Sequence, residues 1–484
     1  MPKKLDLLDE PTRDLVHTAM DWMDARWNED LGLLAYAPDP AHPGPAHGVR
    51  TVRHGVRDSV WYALGLLLRD RPGDAARACR ALSAILDNQW NTPGRIYHGT
   101  FRRAPEEGDP PAEPVRWQHY DPNWRQFIGT ILAIIIEDYA PALPPALLSR
   151  LDHAIRLAIV GEEAEGRLTE RYTNISLMRA PLEVWAGTRY GEDEWLRRGE
   201  AWAEAIYRNF CEFQAFDEYN SPTYYGPDLF ALGFWCEYAP SATLRRYAEE
   251  MEAALWRDVA RFYHAGLRNI CGPYARSYGM DMTRYVAILG QAIWMAVGGA
   301  LAPHPQPSPA MEHPNDLMFP PALAAVGVRV PADALPALRA FPGEHTVQRP
   351  LMGRPFVEAS AWLGEECMIG AAVTDLSRPA GGQMHPATMH WRLPDGSIGW
   401  LRLVEGERVE ARAAARTLTI SCAGNAAFQV HAPGAGLGAA RRDAWHLPGL
   451  TVRVEASAAG FAVVPSDEGL TISYRDAARL VLTV

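Results

Sequence analysis

The chain has 484 residues, of which 48% are hydrophobic and 22% are charged, a composition typical of a globular protein. Lys and Arg number 47 against 58 Asp and Glu, which gives a formal net charge of −11. This acidic balance argues against non-specific binding to DNA or RNA, which requires a basic face. The length predicts two or three domains with enough chain for a large core.

Targeting and cysteine patterns indicate an intracellular setting. The first residues, MPKKLDLLDEPTRD, lack the apolar core of a secretory signal. The best apolar run, 128–136, is too short to cross a bilayer and predicts a buried helix. The six cysteines are scattered without a CxxC pair, which argues against a disulfide scaffold and against a structural zinc site. We therefore expect a cytoplasmic protein with reduced thiols and no membrane association.

The first part of the chain, 1–320, is predicted to be helical. Asp58 and Ser59 are expected to cap the second helix, and Ser241 the ninth. So many antiparallel helices favour a helical barrel, and the lack of a convincing repeat of about 34 or 40 residues argues against a solenoid. The predicted helices are 12–27, 60–68, 75–90, 124–139, 147–160, 175–185, 194–210, 229–238, 242–263 and 282–297.

The second part of the chain is predicted to be a β domain, 356–484, after a proline-rich linker at 321–355. Short segments rich in β-branched and aromatic residues are separated there by Gly, Pro and Asp, a pattern typical of antiparallel strands. The expected fold class is therefore an (α/α)-barrel followed by an antiparallel β-sandwich or β-sheet. The predicted strands are 389–393, 398–403, 416–421, 427–431, 450–454 and 470–474.

Common catalytic and metal-binding signatures are missing from the sequence. There is no Walker A loop, HExxH or GxSxG motif, and the glycines at 434–438 do not form GxGxxG. No spacing indicates a calcium loop, so calcium is unsupported and we expect no metal and no cofactor. The histidine pairs His385/His390 and His304/His313 are interpreted as structural or surface residues.

Polar and aromatic residues are concentrated where five helices are predicted to begin. A histidine just before a helix, such as His54, is ordinarily a cap or a surface residue. Capping also explains Thr173 or Asn174, but not Arg171, because a cation at a helix N-terminus opposes the helix dipole. Arg171 therefore suggests an anionic partner. The five segments are 53–59, 117–125, 171–175, 217–228 and 272–281.

This set of His, Asn, Tyr and Arg side chains suits β-elimination from a uronate. The reaction removes the weakly acidic C5 proton, and Asn or Arg neutralises the carboxylate so that an enolate-like intermediate can form. A Tyr or His then serves as the base, and either can protonate the departing O4. Arginine matches a carboxylate because its N–H fork fits the two oxygens.

Five segments together resemble a known family, the L-rhamnose-α-1,4-D-glucuronate lyases. They are, in chain order, RHGVRDSVWYALGLLL, DPNWRQFIGTIL, RYTNISLM, EYNSPTYYGPDL and GPYARSYGMDM. The resemblance covers roughly residues 50–290 and is most specific in the last two segments. It implies an (α/α)-barrel polysaccharide lyase with an antiparallel β domain, which removes terminal rhamnose from arabinogalactan of the gum arabic type.

The resemblance also implies an active site. Asn220 and one or more arginines are expected to hold the carboxylate, and His54 or a tyrosine to move protons. The catalytic residues carried over are His54, Asn220, Arg276 and the tandem Tyr224 or Tyr225, and the substrate-binding arginines are Arg125 and Arg171. Local residue density adds His119, Tyr120 and Tyr278 as further candidates. The expected partner is an acidic oligosaccharide or another glucuronide; the sequence does not predict an oligomeric state.

Two other functions fit parts of the same sequence. A hydrolase on this kind of barrel, similar to the unsaturated glucuronyl hydrolases, needs carboxylic acids in its site. The acids that could serve are Asp217, Glu218, Asp228 and Asp281. A non-catalytic protein that binds acidic sugars is the second alternative, although binding alone has little use for a His beside several Arg.

Overall fold

The computed structural model describes residues 3–36, 53–353, 356–374, 380–467 and 469–484. All ten predicted helices are present in these ranges, and α4 has the predicted bounds. The tenth helix begins at Ile288 rather than at 282. The helices are α1 (Glu10–Asp24), α2 (Val56–Arg69), α3 (Asp74–Leu86), α4 (Trp124–Tyr139), α5 (Pro145–Glu165), α6 (Thr173–Tyr190), α7 (Asp193–Phe213), α8 (Tyr225–Tyr238), α9 (Ala242–Phe262), α10 (Ile288–Val297), α11 (Pro320–Val326) and α12 (Leu335–Arg339).

The strands of the described ranges are mostly in the C-terminal part of the chain. Five short ones precede it: β1 (Trp27–Asn28), β2 (Leu33–Tyr36), β3 (Arg53–Gly55), β4 (Tyr263–His264) and β5 (Asn269–Ile270). The others are β6 (His345–Gly353), β7 (Phe356–Leu363), β8 (Cys367–Thr374), β9 (Ala387–Arg392), β10 (Ile398–Ala414), β11 (Thr417–His431), β12 (Ala444–Leu447), β13 (Leu450–Ser457), β14 (Gly460–Ser466), β15 (Gly469–Arg475) and β16 (Arg479–Thr483).

The chain forms two compact units that interleave along the sequence. The helical unit comprises the described parts of Met1–Tyr207, Asp228–Glu250 and His313–Val328. The mixed unit comprises the described parts of Arg208–Pro227, Met251–Glu312 and Arg329–Val484. This arrangement differs from the predicted serial division at 320, because helical segments before that position belong to the same unit as the β-sheet.

The helical unit is built from paired inner and outer helices. Nearly every residue of α2, α4 and α6 is buried, as expected for helices that are apolar on most sides, whereas α3 has one apolar face. Short loops make each inner helix antiparallel to the outer helix that follows it. Together with the antiparallel sheet, this pairing confirms the predicted fold class. Within the described ranges, no helix is both long and apolar enough to cross a membrane.

The N-terminal ends of three inner helices meet in the helical unit. The Arg57 guanidinium at the start of α2 lies 5.6 Å from the ring centroids of both Trp124 and Phe127 at the start of α4. The Nδ2 atom of Asn123 donates to the Tyr172 hydroxyl, just before α6, at 3.1 Å. The polar helix starts that the sequence singled out in this unit therefore lie side by side.

Two capping predictions are wrong. Helix α2 begins at Val56, so Asp58 and Ser59 lie inside its first turn instead of before it. The Ser59 hydroxyl donates to the Gly55 carbonyl at 2.6 Å and does not cap the helix. Helix α6 begins at Thr173 without a side-chain cap.

The mixed unit contains an 11-stranded antiparallel sheet in the order β12-β13-β16-β11-β10-β9-β8-β7-β6, with β15 joining β11 to β14. The predicted strands 416–421 and 427–431 are two parts of β11, of which the first pairs with β16 and the second with β15. Residues from both ends of the sheet, including Trp362 and Trp445, share one core. Strand β6 lies inside the predicted linker, whose last two positions, 354–355, fall outside the described residues.

Candidate active site

Two loops of the mixed unit carry the candidate site. The first, 217–224, precedes α8, and the second, 271–287, follows β5. Asn220 has a φ of 48°, a left-handed conformation that Asn adopts more readily than most residues. Its Nδ2 atom donates to the carbonyls of Cys271 at 2.6 Å and Pro273 at 2.9 Å. One side chain therefore ties the first loop to the second.

Hydroxyl groups add further links between the same loops. The Ser221 Oγ donates to the Arg276 carbonyl at 2.5 Å. The Thr223 Oγ1 accepts from the Tyr278 backbone N–H at 3.1 Å and lies 2.6 Å from the Tyr285 hydroxyl. These contacts fix the backbone on both sides of Arg276 and Tyr278.

The Arg276 side chain lies at the centre of the two loops. Its Nη1 atom donates to Glu218 Oε1 at 2.6 Å, its Nε to Gln383 Oε1 at 2.9 Å and its Nη2 to the Tyr224 hydroxyl at 2.6 Å. The guanidinium carbon also lies 3.9 Å from the centroid of the Tyr224 ring. Of its five N–H groups, two have no hydrogen-bond partner among the described residues, and 29% of the side chain is exposed. Arg276 can therefore still donate to an anion.

Tyr224 and Tyr278 form a pair of hydrogen-bonded phenols. Their hydroxyl oxygens are 2.6 Å apart, with Tyr224 buried and Tyr278 40% exposed. Burial raises the pKa of Tyr224 well above its ordinary value, Tyr278 raises it further, and the Arg276 charge opposes both. Tyr224 is therefore a neutral phenol near pH 7, placed to donate a proton in the direction of the exposed Tyr278.

The predicted catalytic residues of the mixed unit differ in their contacts. Tyr224, rather than Tyr225, contacts Arg276; Tyr225 is fully buried as the first residue of α8. The two N–H groups of the Asn220 amide are both used by main-chain carbonyls, so Arg276 is the better placed of the two to bind a carboxylate. Asn220 orders the loops, and its predicted contact with substrate finds no support here.

His54 lies in the helical unit, in strand β3 just before α2. Its Nδ1 atom is hydrogen-bonded to the Glu106 carboxylate, and its Nε2 is 3.0 Å from the Asn28 Nδ2. Because the amide of Asn28 donates, Nε2 is the acceptor and Nδ1 carries the proton. The Glu106 carboxylate orients the imidazole, while Asn28 engages the Nε2 lone pair that a base would use, so the predicted role of His54 as a base stays a prediction.

Arg125 is fully buried in the helical unit and is held by protein groups alone. Its Nη1 donates to Glu165 at 2.5 Å and to Glu162 at 3.4 Å, while Nε and Nη2 donate to the carbonyls of His98 and Ile96. This geometry favours a structural role, and the predicted role of Arg125 in substrate binding finds no support in it.

The other predicted residues of the helical unit are also held within it. The Tyr120 hydroxyl donates to Glu165 at 3.0 Å, and burial raises the pKa of Tyr120 to about 12. The His119 Nδ1 accepts from the Val115 N–H at 2.8 Å and so closes a turn. Arg171 is exposed before α6, and its predicted substrate role stays a prediction.

Two of the four acids that a hydrolase could use, Glu218 and Asp281, are engaged in other contacts. Glu218 forms an ion pair with Arg276. The Asp281 Oδ1 accepts from the Asn269 Nδ2 at 3.0 Å and from the Thr283 N–H at 2.9 Å, so it shapes the second loop. In the described ranges, no group of three or more His, Cys, Asp or Glu side chains is arranged to hold a metal ion.

Three functional contacts were not expected from the sequence. Glu106 and Asn28 flank His54, and Gln383 supports Arg276 from the loop before β9. Each comes from a segment far away in the chain with no motif of its own. No signal in the sequence could have found them.

Comparison with known proteins places the chain in a family. Residues 13–328 match the family described as "Domain of unknown function (DUF8769)", and the chain belongs to that family. No curated protein matches the sequence.

Solved structures with a related outline include several polysaccharide lyases. A chondroitin AC lyase of Streptomyces coelicolor A3, in complex with chondroitin sulphate, is 12% identical over 98% of this chain and 80% of its own, with a TM-score of 0.44. Heparinase III is 9% identical over 99% and 85%, with a TM-score of 0.39. The heparan sulfate lyase HepC from Pedobacter heparinus is 9% identical over 98% and 83%, with a TM-score of 0.30. At these scores the likeness carries no conclusion about this chain.

The structural role of Arg125 can be tested by its removal. We expect Arg125→Ala to lower the free energy of unfolding by about 2–3 kcal/mol, because the buried Glu162 and Glu165 would lose one of their cationic partners and keep Arg167 and Arg116. Urea denaturation measures the change. The matched control is Arg150→Ala. The Arg150 side chain is 44% exposed and forms a surface ion pair, so its removal should change stability little. Equal, small effects of both substitutions would contradict the structural role.

Proposed function

We propose that this protein is a lyase that cleaves a glycosidic bond at O4 of a D-glucuronate residue by β-elimination and leaves a 4,5-unsaturated uronate. The observation that carries the proposal is the Arg276 cluster, defined as Arg276, Tyr224, Tyr278 and Glu218. An arginine with two N–H groups left unused by the described part of the chain contacts a buried neutral phenol, which is hydrogen-bonded to an exposed phenol. The resemblance of the helix-start segments to glucuronate lyases supports the same reaction.

Binding of the substrate carboxylate is assigned to Arg276. Its two remaining N–H groups can donate to the carboxylate oxygens, and such charge-assisted bonds are strong. The charge that develops on the carboxylate when C5 loses its proton is then stabilised by a guanidinium already held by Glu218 and Gln383. Because these contacts fix the side chain before substrate arrives, little reorganisation is needed.

Proton transfer to the leaving group is assigned to the Tyr224–Tyr278 pair. A base takes the C5 proton, the C5–H electron pair forms the C4=C5 double bond, and the C4–O4 bond breaks. O4 receives a proton from the pair, and solvent then returns a proton to the pair through the exposed Tyr278. The sequence resemblance implies His54 as the base.

The substrate class is proposed on the resemblance alone. Rhamnosyl-glucuronate oligosaccharides are the first candidates, with other 4-linked glucuronides as a comparison set. A protein that only bound acidic sugars would have no need for a proton-donating phenol beside the arginine.

Elimination is detected by ultraviolet absorbance, because a conjugated C4=C5 double bond absorbs where saturated sugars do not. We expect Tyr224→Phe and Arg276→Lys each to lower kcat at least about 100-fold, since one loses the proton donor and the other the N–H fork. The matched controls are Tyr247→Phe and Arg150→Lys in the helical unit, which should keep full activity. Sugar release without a rise in absorbance would instead establish hydrolysis.

The pH profile tests the protonation state of Tyr224. Its pKa is raised, so the neutral donor persists as pH rises and is lost only above the ordinary tyrosine value of about 10. We therefore expect kcat to show no decline caused by this group between pH 7 and about 9.5. Circular dichroism at each pH serves as the control for folding. A decline in kcat that begins near pH 8, with the fold intact, would contradict donation by a neutral Tyr224.

A further inference from the structure

The start of α2 holds a second arginine in an unusual setting. The Arg57 guanidinium carbon lies 4.7 Å from the ring centroid of Trp61 and 5.6 Å from those of Trp124 and Phe127. Cation–π attraction to three rings fixes a side chain that would otherwise be flexible. The position of the guanidinium is thus set by apolar neighbours.

Most hydrogen-bonding capacity of Arg57 is unused by the described residues. Its Nε donates to Asp58 Oδ1 at 3.1 Å, whereas Nη1 and Nη2 have no hydrogen-bond partner there. Only 23% of the side chain is exposed. Donors enclosed to this extent are normally satisfied by protein, water or a ligand. Four N–H groups are therefore available at a prepared position.

The surroundings of Arg57 disfavour an anionic ligand. Asp58 already neutralises the guanidinium, and its carboxylate also accepts from the Tyr36 hydroxyl. Burial raises the pKa of Asp316 to about 7 and also raises that of Asp121, while the Arg57 charge opposes both shifts. The negative charge of an anionic ligand would add to the charge of these carboxylates, so the site favours an uncharged ligand.

The same groups match a ring that carries hydroxyls on its edge and C–H bonds on its faces. The N–H groups of Arg57 that are unused by the described residues can donate to hydroxyl oxygens. The half-buried Phe127 ring offers apolar contact area. In the same helix start, Asn123 Oδ1 is a buried acceptor without a hydrogen-bond partner in the described residues.

We propose that the Arg57 cluster, defined as Arg57, Asp58, Asn123, Trp124 and Phe127, is a binding site for an uncharged sugar ring. Arg57 supplies the donors, Asp58 balances its charge, Asn123 supplies an acceptor, Trp124 helps to position the guanidinium, and Phe127 supplies the apolar surface. The inference goes beyond the proposed function because it requires binding only and no elimination.

Saturation-transfer NMR on the full chain tests the site with a panel of neutral methyl glycosides and with methyl glucuronide as the charged comparison. We expect at least one neutral glycoside to bind the wild type, and we expect binding of the uronate, which the Arg276 cluster also accepts, to be unaffected by changes at Arg57. Arg57→Lys keeps the charge but loses the fork, and Phe127→Leu loses the ring; each should weaken binding of the neutral glycoside by about tenfold or more.

Two controls make the result specific. Arg26→Lys alters another arginine of the helical unit, one that lies 3.2 Å from the Trp22 ring centroid, and should leave binding unchanged. Tyr224→Phe should also leave it unchanged, so that loss of elimination and loss of this site are distinguishable. The proposal is overturned if no neutral glycoside binds, if Arg57→Lys weakens binding of the uronate as much as that of the neutral glycosides, or if folded Arg57→Lys and Phe127→Leu bind as the wild type does.

Discussion

The position of the Arg276 guanidinium depends on the link between two loops, and the Asn220 amide makes the central part of that link. Its two N–H groups donate to the carbonyls of Cys271 and Pro273. The left-handed backbone conformation of Asn220 directs its side chain from the first loop to the second. Ser221 and Thr223 add hydroxyl contacts on the same side. With the loops joined in this way, Arg276 donates to both Glu218 and the Tyr224 hydroxyl.

The arrangement has a chemical consequence. Arg276 is fixed by a carboxylate, an amide oxygen and a phenol, yet two of its N–H groups remain unused within the described ranges. Tyr224 is buried beside it, and burial keeps the phenol protonated despite the neighbouring positive charge. Under the proposed function, the arginine neutralises the substrate carboxylate and the tyrosine protonates the leaving group, two of the requirements of an elimination at C4 and C5 of a uronate; the third is a base for the C5 proton.

Much of the fold could be predicted from the sequence because its signals are local. The inner helices are long apolar runs, and α4 was placed with its observed bounds. Strands β7 and β8 were missed because runs such as CMIGAAVT are small and fully buried, without an alternating pattern. The interleaving of the two units is set by contacts between distant segments, which no local pattern encodes.

In the candidate site, too, the roles of single residues depend on contacts with distant segments that no local pattern encodes. Arg125 and Arg276 both lie in segments rich in aromatic and polar residues, yet Arg125 is enclosed by Glu162 and Glu165, whereas Arg276 keeps N–H groups that no described residue accepts from. The acids that seal Arg125 are on α5, far along the chain. The role of Asn220 likewise depends on two carbonyls more than fifty residues away. Residue type therefore selects candidates for the site, while burial and hydrogen-bond partners separate structural from candidate functional roles.

The most direct measurement is the fate of deuterium placed at C5 of a rhamnosyl-glucuronate substrate. Elimination predicts that turnover is slowed by the label and that the unsaturated product contains no deuterium at C5. A product that keeps the deuterium at C5, released at the same rate as from unlabelled substrate, would contradict elimination.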